Sequence, residues 1–252
     1  MERVWFNSRR GERLAGVLHR PKGTPRRGMI LTHGFRGSKE GGGKAVELAE
    51  QISDRGLAVL RFDFAGVGES EGEFDRITLS RQVADLQGAL DWFLGTGPLD
   101  TFVVGRSFGG STALAAAALD QRIRGLCLWS TPIDLVATFR RTLGGLFEQL
   151  EAGREVSIRD DHGEGFGLRP EFVTDAKRHD LYRDLERVAG RPILFLHGEG
   201  DETVSLEQAE QGYQVAGHPK ELVVIKGGDH QFTRTWESAW QALFSWIEKL
   251  PG

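Results

Sequence analysis

Short apolar runs of β character alternate with longer amphipathic stretches over most of this chain, and that alternation restricts the fold before any motif is weighed. Gly28–Thr32 reads as a strand, followed by a helix with Ala45, Leu48, Ala49 and Ile52 on one face that stops at Gly56. Strand Leu57–Phe62 precedes helix Ser80–Leu94, whose apolar face is Val83, Leu86, Leu90 and Phe93. Strand Thr101–Val104 leads into an Ala-rich helix that opens at Ser107 and ends near Asp120, and strand Ile123–Trp129 follows. After an interruption the rhythm resumes with strand Ile193–Leu196, helix Leu206–Ala216, strand Leu222–Ile225 and helix Arg234–Leu250. Ahead of it all, Arg3–Asn7 and Leu14–His19 flank the turn Ser8-Arg9-Arg10-Gly11 and predict a hairpin. Strands joined through helices demand crossover connections, so the expected fold class is α/β, a mostly parallel sheet with helices on both faces.

The interruption, residues 132–189, reads as an insertion within a single domain of residues 1–252. It holds an amphipathic run at Leu135, Phe139, Leu143, Leu146, Phe147 and Leu150 and a polar, Gly-rich middle. A chain of 252 residues can bury roughly 70% of its surface in one core without staples. Acidic residues number 36 against 32 basic ones, a net charge of -4, which leaves no electrostatic footprint for nucleic acid. The longest apolar run, Ala113–Leu119, is too short to span a bilayer, and the first twenty residues hold no apolar signal core. The expectation is a cytoplasmic protein without membrane or nucleic-acid partners, monomeric or homodimeric. The one cysteine, Cys127, rules out an internal disulfide and a multi-cysteine zinc site.

Gly105-Arg106-Ser107-Phe108-Gly109 lies between a predicted strand and a predicted helix, the context in which G-x-S-x-G carries a nucleophile. Glycines remove Cβ atoms that collide in so sharp a turn, and a serine at a helix N-terminus meets free N–H groups that favour developing negative charge. By itself such a serine is as well read as a helix cap. Gly68-Glu69-Ser70-Glu71-Gly72 matches the same pattern, yet no helix follows directly and two glutamates flank the serine, so Ser70 reads as a loop residue.

A serine nucleophile needs a base, and the base an orienting carboxylate. His197-Gly198-Glu199-Gly200-Asp201 and Lys226-Gly227-Gly228-Asp229-His230 each follow a predicted strand directly, which puts them on the sheet edge that carries Ser107. The chain order Ser107, Asp201, His230 then makes the candidate triad. His218 precedes its strand and belongs to the opposite edge, Asp134 is a competing acid, Asp229 adjoins His230 and should diverge from it, and Glu202 is the acid if the turn is shifted by one residue. His33-Gly34-Phe35 ends the third strand on the same edge, so the amides of Phe35 and Phe108 are the candidate oxyanion donors. His33 and Asp63 read as loop anchors. Gly41–Gly43 lacks the ending of a phosphate loop, and no metal or organic cofactor is expected.

These segments, with Arg61-Phe62-Asp63-Phe64-Ala65-Gly66-Val67-Gly68-Glu69-Ser70-Glu71-Gly72, give the chain a resemblance to the α/β-hydrolase superfamily, and within it to serine esterases of the feruloyl or cinnamoyl esterase type. Arg106 stands where relatives often carry an uncharged residue or His. The resemblance implies an eight-stranded, mostly parallel sheet with a small cap, residues 132–189, inserted after the sixth strand and lying over the triad. It also implies hydrolysis of a small carboxylic ester through an acyl-enzyme. Phe139 and Leu143 are the candidate apolar substrate contacts and Arg106 a candidate positive one. A peptidase or thioesterase with the same triad, or a silent binding protein on this fold, are the alternatives.

Overall fold

The computed structural model describes residues 1–97, 100–159 and 165–251. β1 (Glu2–Asn7) and β2 (Arg13–His19) pair antiparallel as the hairpin that the turn Ser8-Arg9-Arg10-Gly11 between them predicts. β3 (Arg27–Thr32), α1 (Lys44–Asp54), β4 (Ala58–Phe62), α2 (Leu79–Leu94), β5 (Asp100–Arg106), α3 (Phe108–Leu119) and β6 (Ile123–Trp129) follow in strict alternation. Between β6 and the next strand of the sheet come α4 (Leu135–Leu143), α5 (Gly145–Glu151), the antiparallel pair β7 (Val156–Arg159) and β8 (Gly165–Leu168), α6 (Glu171–Ala176) and α7 (Leu181–Arg187). The chain closes with β9 (Ile193–Gly198), α8 (Leu206–Val215), β10 (Lys220–Ile225) and α9 (Trp236–Glu248).

Eight strands form one sheet in the order β1-β2-β4-β3-β5-β6-β9-β10, in which β2 runs antiparallel to both neighbours and every other pair is parallel. This is the α/β-hydrolase fold, and the expected sheet is present. Its helices divide by the parity of the strands. Met29, Val59, Phe102, Val104 and Leu194 point to the face covered by α1 and α9; Ile30, Leu60, Val103 and Phe195 point to the face covered by α2 and α3. After β3 the chain moves outward to β4 and then returns to the other side of β3 as β5, so the strand order reverses there. A reversal parts the loops at the strands' C-terminal ends and leaves a crevice between them. Topology alone therefore brings the loops after β3 and β5 together.

The amphipathic run expected over 135–150 is two helices rather than one. Gly144, at φ 53, takes a left-handed conformation that turns the chain between α4 and α5. Part of the polar middle of this stretch, residues 160–164, lies outside the described residues.

His19, at the end of β2, is 3% exposed and accepts a hydrogen bond at Nε2 from Arg61 Nε at 3.0 Å. That geometry requires a neutral ring. Burial first, then the charge of Arg61, push His19 down to about 4. The unfolded chain binds this proton near pH 6.5, whereas the folded chain binds it only near 4. Stability is therefore full above pH 6.5 and declines as pH falls toward 4, by roughly 3 kcal/mol from this group. Denaturant titrations at pH 7 and pH 4.5 should show His19→Gln, which keeps an acceptor for Arg61, losing less stability on acidification than the unmodified chain.

Candidate active site

Ser107 joins β5 to α3 with φ 51 and ψ -126, a conformation that a residue with a side chain adopts only when its surroundings force it. The surroundings are close packed. A Cβ at Gly105 would stand 2.5 Å from the Cα of Gly110, and one at Gly109 would collide with the carbonyl oxygens of Thr32 and His33. The Ser107 amide donates to Trp129 O at 2.8 Å, tying the turn to β6.

His230 sits on the loop after β10 with Nε2 3.1 Å from Ser107 Oγ and Nδ1 2.8 Å from Asp201 Oδ2. Asp201, on the loop after β9, has a fully buried side chain, and its other oxygen accepts from the amides of Thr203 at 2.9 Å and Val204 at 2.8 Å. Burial is the strongest single influence on Asp201 and pushes it up. The hydrogen bond and charge of His230, with the Val204 amide, outweigh it and hold the carboxyl below its ordinary value. An ionised Asp201 fixes the imidazole with its proton on Nδ1, which leaves Nε2 as an acceptor toward Ser107.

His33 is a neutral clamp. Its Nε2 accepts from the Phe64 amide at 3.2 Å, so Nδ1–H donates to Gly34 O at 2.9 Å, and burial holds the ring below the usual histidine range. Both nitrogens are engaged, and the loop so fixed presses against the nucleophile: a Cβ on Gly34 would lie 3.0 Å from Ser107 Cβ. Among the described residues, neither the Phe35 nor the Phe108 amide has a protein acceptor. The Phe35 ring packs within 5.5 Å of Phe74, Phe139 and Phe172, between centroids, which immobilises the residue that carries the amide.

A cavity of about 380 Å³ opens at Ser107 and His230, lined by Phe35, Phe139, Leu143, Leu146 and Ile158 among others. Phe139 and Leu143, the candidate substrate contacts, are among its walls. Arg106 does not line this cavity. Alternation along β5 puts it on the side of Phe102 and Val104, beneath α1 and α9, where its guanidinium donates to Gln231 Oε1 and lines a separate cavity.

The competing residues lie elsewhere. Asp134 caps α4 by accepting from the Ala137 amide, Asp229 accepts from the Thr233 amide, Glu202 is exposed, and His218 is at the opposite end of β10. Asp63 anchors its loop through Lys39 N at 2.7 Å, Lys39 Nζ at 2.6 Å and the Glu69 amide at 3.2 Å. Two further residues, given no role by the sequence, support the site. Buried His197 donates from Nε2 to Val204 O at 3.0 Å, bracing the amide that holds Asp201, and Gln208 accepts from the Ile133 and Asp134 amides at the start of α4. The signal for His197 was its place in the His197-Gly198 turn.

Fold and site together define an α/β-hydrolase serine hydrolase of esterase-like form. The chain belongs to the Hydrolase_4 family, described as serine aminopeptidase, S33, whose profile matches residues 23–159. It is 28% identical over 214 residues to the mitochondrial palmitoyl-protein thioesterase ABHD10 of Mus musculus, covering 81% of this chain and 69% of that one. An esterase domain from Rhodothermus marinus superposes with a TM-score of 0.73 at 27% identity, covering 98% and 96% of the two chains. Est1E from Butyrivibrio proteoclasticus, solved with ferulic acid bound, superposes with a TM-score of 0.78 at 22% identity, covering 98% and 100%; this likeness is one of fold. Among the described residues no helix is long and apolar enough to cross a membrane.

Ser70 Oγ donates to Asp63 O at 2.6 Å and accepts from the Ala15 amide at 2.9 Å. Ser70→Ala should therefore cost about 1–3 kcal/mol of stability. Denaturant midpoints and ester-hydrolysis rates measured together should show that loss, with turnover within about threefold of the parent.

Proposed function

We propose that this chain is a serine esterase of the cytoplasm that cleaves small carboxylic esters, with residues 132–189 as a cap over the nucleophile. The observation that carries the reading is the continuous hydrogen-bonded line from Asp201 through His230 to Ser107. Ser107 Oγ attacks the ester carbonyl carbon while its proton passes to His230 Nε2, and Asp201 stabilises the imidazolium that forms. The Phe35 and Phe108 amides hold the oxyanion, helped by the N-terminus of α3. His230 then returns the proton to the alcohol oxygen as the C–O bond breaks. Water, deprotonated by His230, frees the acid from the acyl-enzyme.

The apolar walls Phe139, Leu143 and Leu146 suit an apolar or aromatic acyl group, and roughly 380 Å³ suits a short one. A thioester is the second reading, favoured by the thioesterase named among the relatives. Both share the acyl-enzyme and differ in leaving group.

Ser107→Ala should fold normally and lose roughly 10⁴-fold or more in turnover. A fluorophosphonate should label the parent at the peptide holding Ser107 and leave the variant unlabelled; labelling elsewhere overturns the assignment. Rates on p-nitrophenyl esters of rising chain length, on S-acyl thioesters and on aminoacyl anilides decide the class. Short esters should lead, Phe139→Ala and Leu143→Ala should shift the chain-length preference, and faster anilide cleavage would move the chain to the peptidases.

A further inference from the structure

Next to the serine cavity, and sharing Gln231 with it, is a second cavity of about 130 Å³ between the sheet and helices α1 and α9. Its walls are largely apolar, with Leu48, Val104, Trp129, Trp236 and Trp240. The charged residues that line it are all basic: Lys39, Lys44, Arg61 and Arg106, in a chain whose net charge is -4. Three of these are already neutralised, Lys39 by Asp63 and Glu69, Lys44 by Glu47, and Arg61 by Glu40. Arg106 is different. Among the described residues no carboxylate lies within ion-pair distance of it, and its side-chain acceptor is the neutral Gln231 Oε1. A guanidinium has five N–H donors in a planar fork, and one amide oxygen cannot satisfy them. Burial weakens its charged form, and the charges of Asp201 and Asp229 oppose that without bonding to it. A second donor is also unspent: the indole N–H of Trp129, a residue 7% exposed, is buried without a hydrogen-bond partner.

We propose that this cavity binds a small organic anion with an apolar body, a carboxylate of benzoate size, whose carboxylate pairs with Arg106 while its body lies among the tryptophans. Arg106 is partly exposed and lines the cavity with no carboxylate partner among the described residues, and a carboxylate matches the guanidinium fork in bidentate fashion. The volume, about 130 Å³ against the roughly 150 Å³ of an apolar cavity that holds benzene, limits the body to a single ring, with the carboxylate at the Arg106 end. The site is separate from the ester cavity and does not rest on the esterase reading. Arg106 immediately precedes Ser107 and Gln231 immediately follows His230, so an occupant draws Arg106 away from Gln231, one residue from each end of the Ser107–His230 hydrogen bond.

Three of the six tryptophans line the cavity, so intrinsic fluorescence reports occupancy without any measurement of turnover. Benzoate titrated into the full chain should give a saturable fluorescence change with a Kd at least about tenfold below that of benzyl alcohol, its neutral counterpart. In Arg106→Gln that ratio should fall to about one, and in Ala45→Phe, which fills the cavity from α1, the benzoate response should vanish. Circular dichroism establishes that each variant is folded, and the Ala45 variant carries the test if the Arg106 variant is not. Binding of benzoate should persist in Leu143→Phe, which narrows the serine cavity. An absent or non-saturating response, equal affinity for the two probes in the parent, or loss of binding in Leu143→Phe with retention in Ala45→Phe overturns the proposal.

Discussion

The turn at Ser107 is the constraint on which the rest of the C-terminal edge depends. Holding a serine at φ 51 and ψ -126 costs about 1–3 kcal/mol, and it persists because three strands leave the chain no alternative path. β6 takes the serine amide, the carbonyls at the end of β3 press on Gly109, and Gly105 meets Gly110 across the turn. The same crowding brings the His33–Phe35 loop against the serine, so nucleophile and candidate oxyanion donors are placed by one packing event. The neutral His33 ring then fixes that loop from behind through Phe64.

The acid and base depend on a different kind of support. Asp201 is held by backbone amides of its own loop, and His230 is held by Asp201, so their alignment is a matter of hydrogen bonds rather than of close-packed backbone. His197 and Val204 stiffen the acid's loop. Two modes of rigidity thus meet at the 3.1 Å contact between His230 and Ser107.

Much of this architecture was legible in the residues because its signals are local. Apolar runs, glycine turns and the three polar turns after the fifth, penultimate and last strands of the sheet report sheet, edge and candidate triad without knowledge of distant contacts. What escaped depends on contacts remote in sequence or on very short elements. β7 and β8 have four residues each, too few for alternation to stand out, and the break at Gly144 lies within an apolar pattern that reads as continuous. Phe74, ahead of the insertion, and Phe172, within it, both join Phe35, which no spacing announces. Arg106 is instructive in another way. Reading the fifth strand as ending at Val104 hid the alternation that continues to Arg106 and carries its side chain to the far face.

His230 follows β10, one of the two edge strands of the sheet, bonded on one side to β9 and partly open to solvent, with Val224 39% exposed. Ser107 follows β5, which has a partner on both sides. Proteins open first where elements are least covered, so the two halves of the site belong to regions of unequal local stability. Warming should detach the histidine's strand while the serine's turn is still intact, and loss of activity then becomes a measure of how firmly one border strand is held rather than of the melting of the whole molecule.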